Sequence, residues 1–260
     1  MSTEATYEDL LDALGRSGCA ICRLATRRAD RFLASYIYEH VNDVDLRSQI
    51  RSSRGFCEPH GEQFLEKLDA LAVAITYRDI LNSLVVELDA SPHERGLSGA
   101  FSSLIANPWR RMRARVAGAR GREVLAGSTR CPVCIAESAA AERAMDVLSQ
   151  QIKGEKLSRL LAEGDPLCLA HTQGALRRSG RMPALISRQH QGWSELRDRL
   201  LEFIRKSDHN HRWEDLTDGE RAAIVTSVRT VTGTRARPAD DASAETRKLR
   251  RGGTNARRAP

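Results

Sequence analysis

Six cysteines occur in this chain, and all six fall in two copies of one pattern, CxxC followed by CxxH. The first copy reads Cys19-Ala-Ile-Cys22, then thirty-four residues, then Cys57-Glu-Pro-His60. The second reads Cys131-Pro-Val-Cys134, then thirty-three residues, then Cys168-Leu-Ala-His171. Because the two copies use every cysteine at nearly the same separation, the pattern constrains the fold more than any other feature of the sequence.

Apolar residues agree between the two copies as well. Three of them lie eleven, seven and one residues before the CxxH motif in each copy: Leu46, Ile50 and Phe56 in the first, Leu157, Leu161 and Leu167 in the second. The agreement predicts an internal repeat.

The donor set of each copy is typical of a structural zinc site. Such a site has four protein ligands in a tetrahedron, usually thiolates with or without imidazole, and four protein ligands leave no open position for catalysis. The cofactors predicted are therefore two Zn²⁺ ions. An iron–sulfur or redox-active iron site and metal-free thiols are the alternatives. A thioredoxin-like motif is disfavoured because no strand is predicted before either CxxC. The predicted ligands are Cys19, Cys22, Cys57, His60, Cys131, Cys134, Cys168 and His171.

The sequence leaves two ways to pair the motifs. Within the first repeat, helices over residues 21–38 and 44–53, separated by Asn42-Asp43, could form a hairpin that returns Cys57 to Cys22. The motifs could instead exchange, so that Cys19 and Cys22 join Cys168 and His171. In either pairing two helix N-termini converge on the ion, where their positive ends favour thiolate.

The remaining periodicity is helical, which predicts an all-α fold. Apolar residues at spacings of three and four predict one long amphipathic helix over 62–89 and another over 184–206 after Pro183. A further helix is predicted over 214–231, capped by Thr217 or Asp218.

The predicted organisation has five parts. They are an N-terminal helix in 1–17, a first CxxC/CxxH repeat in 18–90, a basic connecting region in 91–129, a second repeat with a terminal helix in 130–232, and a disordered basic tail in 233–260.

The formal net charge of +7 is unevenly distributed. Residues 229–260 hold nine Lys+Arg against three Asp+Glu, which leaves 32 against 31 for residues 1–228. The basic stretch Arg110–Arg122 and the tail support nucleic-acid binding as an alternative function. Against it, arginine outnumbers lysine 36 to 5 throughout, and aromatic residues make up only 5% of the chain.

No apolar run approaches the ~20 residues of a membrane helix, and no secretory signal precedes the first repeat. We therefore expect no membrane insertion and a reducing cytoplasm. No catalytic motif marks an enzyme, so the leading prediction is a non-catalytic binding or scaffold module with a protein partner. An iron–sulfur or thiol redox protein is a further alternative.

Five polar residues stand out from their apolar surroundings as possible ligand-binding or supporting groups: Glu39, Asn42, Asp43, Arg78 and Asp79. Structural ion pairs and helix caps are the commoner explanation of such residues, since buried charges are usually paired.

The chain resembles an uncharacterised prokaryotic family known only as a domain of unknown function. Besides the cysteine motifs, the matching segments are Tyr38–Asp43, Gly55–Cys57 with His60, Ala74–Leu81, and Phe203–Lys206 with Asp208. The resemblance covers about residues 18–210 and departs at Cys19-Ala, where the family pattern has proline, as in Cys131-Pro132. It implies an all-helical metal-binding protein and no particular activity.

Overall fold

The computed structural model describes residues 3–90, 127–179, 182–211 and 213–234, and all regular structure in these ranges is helical. The predicted all-α fold is confirmed. The helices are α1 (Thr3–Leu14), α2 (Ala20–Ser35), α3 (Val44–Ser52), α4 (Glu58–Leu65), α5 (Ala70–Ala90), α6 (Pro132–Gln151), α7 (Glu155–Glu163), α8 (Leu169–Ser179), α9 (Pro183–Ser207) and α10 (Asp218–Thr232). A π-helical turn (Tyr36–His40) follows α2, and a 3-10 turn (His209–His211) follows α9.

Local signals in the sequence place several helix ends correctly. Asp43 is the N-cap of α3, and its carboxylate accepts a hydrogen bond from the Leu46 amide at 2.7 Å. Thr217 caps α10 in a capping box with Glu220, in which each side chain accepts from the other residue's backbone N–H. Pro183 opens α9, where its missing N–H has no helical partner to lose.

The single helix predicted over 62–89 is wrong, because the chain breaks between α4 and α5. Leu68 has φ +57°, a left-handed conformation that ends a helix. Asp69 then starts α5, since its side chain accepts from the Ala72 amide at 2.8 Å. Apolar residues continue at spacings of three and four through this region, so the periodicity of the sequence could not reveal the break between the two helices.

Two compact units make up the fold. Unit one comprises residues 1–28 and 137–260, and unit two comprises residues 29–136. Each unit therefore takes its helices from both repeats rather than from one. The five-part organisation predicted along the sequence stays a prediction.

The core of unit one is aliphatic. Its buried side chains come from α1, α2, α6 to α9 and the residues just before α8 and α9. The largest fully buried ones are Leu10, Ile21, Leu148, Leu157, Leu161, Leu167, Met182 and Leu185. Leu157 and Leu161, two of the apolar residues that correspond between the two copies, lie in this core on the buried face of α7.

The core of unit two is built around three aromatic rings. Tyr36, Phe56 and Phe64 pack against one another, with ring centroids 5.1 to 5.9 Å apart and edge-on or tilted planes. The buried hydroxyl of Tyr36 lies 2.7 Å from Thr76 Oγ1 on α5. Ile50 on α3, one of the apolar residues that correspond between the two copies, is buried in the same core.

Among the described residues, no helix is both long and apolar enough to cross a bilayer.

Candidate metal centres

The first cluster joins the CxxC of the first repeat to the CxxH of the second. Cys22 Sγ lies 3.7 Å from Cys168 Sγ and 3.3 Å from His171 Nδ1. The same ring nitrogen lies 3.5 Å from Cys19 Sγ and 3.2 Å from Cys168 Sγ. Cys22 and Cys168 are buried, and Cys19 and His171 are half-buried. All four residues belong to unit one.

The second cluster is the reciprocal combination, within unit two. Cys57 Sγ lies 3.4 Å from Cys134 Sγ and 3.2 Å from His60 Nδ1. His60 Nδ1 is also 3.3 Å from Cys134 Sγ and 3.7 Å from Cys131 Sγ. In each cluster the four donor atoms lie within 4.8 Å of one another.

Helix capping explains how these short motifs present their donors. Cys19, Cys57, Cys131 and Cys168 each precede the first residue of a helix, and their carbonyls accept the first hydrogen bonds of that helix. The second donor of each motif is the third helical residue. An N-cap side chain and an N3 side chain meet at the helix N-terminus, so two N-termini bring four donors to each cluster.

The structure therefore has the exchanged pairing, and pairing within each repeat is not found. The physical reason is the unequal length of the connecting helices. Residues 20–40 are continuously helical and carry the chain about 30 Å, whereas the nine residues of α3 return it only about 13 Å. Residues 53–56 form a turn, with Arg54 at φ +58° and Gly55 at φ +96°, and add no extended reach.

The donor separations fit one tetrahedral ion. With Zn–S of ~2.3 Å and Zn–N of ~2.0 Å, a tetrahedron has S···S edges of about 3.8 Å and S···N edges of about 3.5 Å. The observed S···S contacts are 3.4 and 3.7 Å. These contacts are much longer than the ~2.05 Å of a disulfide, and all six cysteines are free.

Electrostatics in the first cluster favour a thiolate. Hydrogen bonds with Cys168 and Cys19, and the nearby His171, hold the pKa of the Cys22 thiol far below its usual range. Hydrogen bonds with Cys168 and Cys22 raise the pKa of the Cys19 thiol. Burial lowers the pKa of His171, but hydrogen bonds to Cys168 and Cys22 outweigh this effect and raise it to about 9. The cluster thus holds anionic sulfur that a cation would neutralise.

The second cluster has the same asymmetry. Burial raises the pKa of Cys131, but hydrogen bonds from His60 and from backbone amides lower it to about 6. Burial and the neighbouring Cys57 raise the pKa of Cys134 to about 12. One low-pKa thiol per cluster supplies a thiolate at neutral pH, and metal binding displaces the remaining protons.

The end of α10 reaches the first cluster, a contact that the sequence analysis missed. The Thr234 amide donates a hydrogen bond to Cys22 Sγ at 3.4 Å. Gly233, at φ +79°, makes the preceding turn, and a β-carbon there would lie 3.7 Å from Cys168 Sγ and 3.8 Å from Cys22 Sγ. The only sequence signal for this contact was the glycine at position 233, which directly follows the helix that ends at Thr232.

α9 also supports the first cluster. The buried side chain of Gln189 donates to Thr172 Oγ1 at 2.6 Å and to the Leu167 carbonyl at 3.3 Å. These two residues flank the Cys168 to His171 motif, so Gln189 fixes the start of α8 from outside the donor set.

Tyr77 on α5 lies beside the second cluster. A β-carbon on Gly61 would lie 3.5 Å from the Tyr77 hydroxyl. Burial raises the pKa of Tyr77, and the charges of Cys131 and Cys57 raise it further. The inner face of α5 is therefore close to these thiols.

The other five candidate residues lie apart from both clusters. Asp79 pairs with Arg51 at 2.6 Å and with Arg47 at 3.1 Å, which lowers the pKa of its carboxyl against the effect of burial. Asp43 caps α3, and Glu39 accepts from Ser35 Oγ at 3.2 Å. Asn42 and Arg78 are exposed. In the described ranges, no group of residues that could hold a metal occurs beyond the two clusters.

The chain belongs to DUF6062, described as a family of unknown function, which matches residues 8–236. It is also similar to an "Uncharacterized 23.9 kDa protein in xynA 3'region" of Caldicellulosiruptor sp. (strain Rt8B.4), with 42% identity over 65 residues. That match covers 25% of this chain and 32% of the relative. No solved structure matches. The family confirms the resemblance and adds no activity.

Proposed function

We propose that the protein is a zinc-stabilised helical binding module, in which one Zn²⁺ per cluster fixes two helix N-termini and the helices present a surface to a partner protein. The observation that supports this proposal most strongly is the convergence of three thiols and one imidazole nitrogen at tetrahedral separations in each unit. Four protein donors support a structural ion rather than a catalytic one.

Zinc fits this donor set better than an iron–sulfur cluster. In a cluster of several irons the thiolates bind different metal atoms and spread apart, whereas here all four donors lie within 4.8 Å. A single iron atom would fit the same tetrahedron, so the metal must be identified by measurement.

Without an ion, each cluster would hold three closely packed thiols, one of them readily ionised. A bound Zn²⁺ offsets their mutual repulsion and ties each CxxC to its CxxH. Structural zinc contributes on the order of 10 kcal/mol to the folding of small domains. We therefore expect bound zinc to supply a large part of the folding free energy of each unit.

Metal analysis and an absorption spectrum of freshly purified protein test the proposal. We expect two zinc ions per chain, no colour, and loss of helicity by circular dichroism when a strong chelator removes the metal. A brown, iron-containing protein would support the redox alternative instead. A metal-free protein with full helicity would contradict a structural site.

A matched pair of histidine variants makes the test specific. His171→Asn should lower the zinc content from two ions to one, because it removes one of four donors. His190→Asn, at an exposed position on α9, should leave both ions in place. Equal zinc content in the two variants would remove His171 from the donor set.

The nucleic-acid alternative stays a prediction. The Arg110–Arg122 run and the tail beyond residue 234 lie outside the described residues.

A further inference from the structure

Helix α5 is apolar on two opposite faces. Its inner face packs into the core of unit two through Ala72, Thr76 and Ile80. Its outer face is exposed, and seven of its nine exposed residues are apolar: Ala70, Leu71, Ala74, Leu81, Val85, Val86 and Leu88, with Arg78 and Asn82 the two polar members. A helix with apolar residues on two opposite faces normally has a partner on each side.

The exposed apolar residues follow a regular seam. Positions 71, 74, 78, 81, 85 and 88 are separated by three, four, three, four and three residues, which is the a/d spacing of a coiled coil. Leu71, Leu81 and Val85 are 71%, 59% and 55% exposed. The seam therefore has the spacing of a helix–helix contact and lacks the contact within the described part of the chain.

We propose that this seam pairs with the same seam of a second copy of the chain, in antiparallel orientation. The proposal rests on the module described above, because it names the surface and the partner that the module presents.

The position of Arg78 selects the orientation. In a parallel pair, Arg78 would face Arg78 of the other copy, and like charges would meet in one layer. In an antiparallel pair with its two-fold axis midway between positions 78 and 81, each Arg78 faces Leu81. Side chains on a helix tilt toward its N-terminus, so the two Arg78 side chains point away from the axis and from each other.

The other layers of the antiparallel pair are apolar. Leu71 faces Leu88, and the small Ala74 faces the larger Val85. The seam from 71 to 88 is about 26 Å long on a helix about 10 Å wide. That strip is smaller than a standard interface of ~800 Å² per partner, and we therefore expect a dissociation constant on the order of micromolar.

Sedimentation velocity of the zinc-loaded protein, from about 5 to about 200 µM, tests the proposal. We expect a monomer–dimer equilibrium within this range. Val85→Glu should abolish the dimer, because a carboxylate would face Ala74 in an apolar layer. Arg78→Leu should tighten it by about tenfold or more, because leucine completes the seam. Ile186→Glu, at a similarly exposed apolar position on α9, is the matched control and should leave the equilibrium unchanged.

Leu81→Glu separates the two orientations. In the antiparallel pair the new carboxylate faces Arg78 of the other copy, so the dimer should persist and become sensitive to salt. In a parallel pair two carboxylates would meet, and the dimer would be lost.

A protein that stays monomeric at every concentration, as wild type and as Arg78→Leu, would overturn the proposal. Zinc content and helicity measured on the same samples keep this outcome distinct from failure of the metal sites. Loss of the dimer with both ions retained contradicts only the seam, whereas loss of zinc contradicts the module itself.

Discussion

The two clusters share a donor set and a construction, but they differ in what surrounds them. Each uses an N-cap cysteine and an N3 donor from two helices. The first cluster is additionally contacted by the backbone that follows α10, through Gly233 and Thr234. The second lies near an aromatic core and Tyr77 on the inner face of α5.

A short motif thus sets the arrangement of the donors, while its neighbours determine which helices a bound ion would stabilise. Zinc in the first cluster should hold the C-terminal helix in place. Zinc in the second should hold α4 against the aromatic core and so support the exposed seam of α5.

The largest expected effect is loss of a ligand. Cys168→Ser should lower zinc from two ions to one and release α10, whereas Cys57→Ser should also leave one ion but disturb α4 and α5 instead. Zinc content, with hydrogen exchange located by peptide, measures both. The division would fail if both variants exposed the same helices, because each ligand would then support the fold as a whole.

A smaller effect, confined to the first cluster, is expected of Gly233→Ala. Glycine at φ +79° can be replaced only with backbone strain, which costs about 1–3 kcal/mol. Zinc release to a chelator should become faster from one of the two sites. The control is Gly219→Ala in α10, where a β-carbon meets only Thr217 Oγ1, at 3.9 Å. Unchanged release from both sites would show that the Thr234 hydrogen bond does not support the metal.

Removing the buried side-chain amide of Gln189 should lower the stability of unit one and leave unit two unchanged. Gln189→Leu removes the hydrogen bonds to Thr172 and to the Leu167 carbonyl, which contribute about 1 kcal/mol each. Thermal unfolding of the zinc-loaded variant should show the loss. Gln191→Leu, at an exposed position on α9, is the control. An unchanged melting temperature for Gln189→Leu would contradict the supporting role of this side chain.

The smallest effect is a pH dependence at the contact between α9 and α10. Hydrogen bonds from Lys206 and from the Thr217 amide lower the pKa of Glu220. A carboxyl whose pKa is lower in the folded protein contributes stability above its unfolded pKa of ~4.3, and that stability is lost as the pH falls through the folded pKa. Glu220→Gln should therefore lower the melting temperature at neutral pH, and the difference from wild type should shrink in acid.

The control for this titration is Glu163→Gln, at an exposed position at the end of α7. A difference between wild type and Glu220→Gln that stayed constant down to pH ~3 would show that the carboxylate charge of Glu220 is not what stabilises unit one.

Features that depend on a short segment of the chain could be predicted from the sequence. The helical class, the caps at Asp43 and Thr217 and the eight donors all depend on neighbours within four residues. The pairing of the motifs was not readable, because it depends on how far α3 brings the chain back after α2. The apolar stripe of α5 illustrates the same limit. Spacing identified Leu71, Leu81 and Val85, but they lie on the outer face, while smaller residues such as Ala72 and Thr76 fill the inner one.

The zinc content of two double variants distinguishes the exchanged pairing from pairing within each repeat. Cys22→Ser with Cys168→Ser removes two donors from one cluster, so we predict that one zinc ion remains. Cys22→Ser with Cys57→Ser removes one donor from each cluster, so we predict that none remains. The reverse result, no zinc in the first double variant and one ion in the second, would show that the motifs pair within each repeat and would contradict the structure.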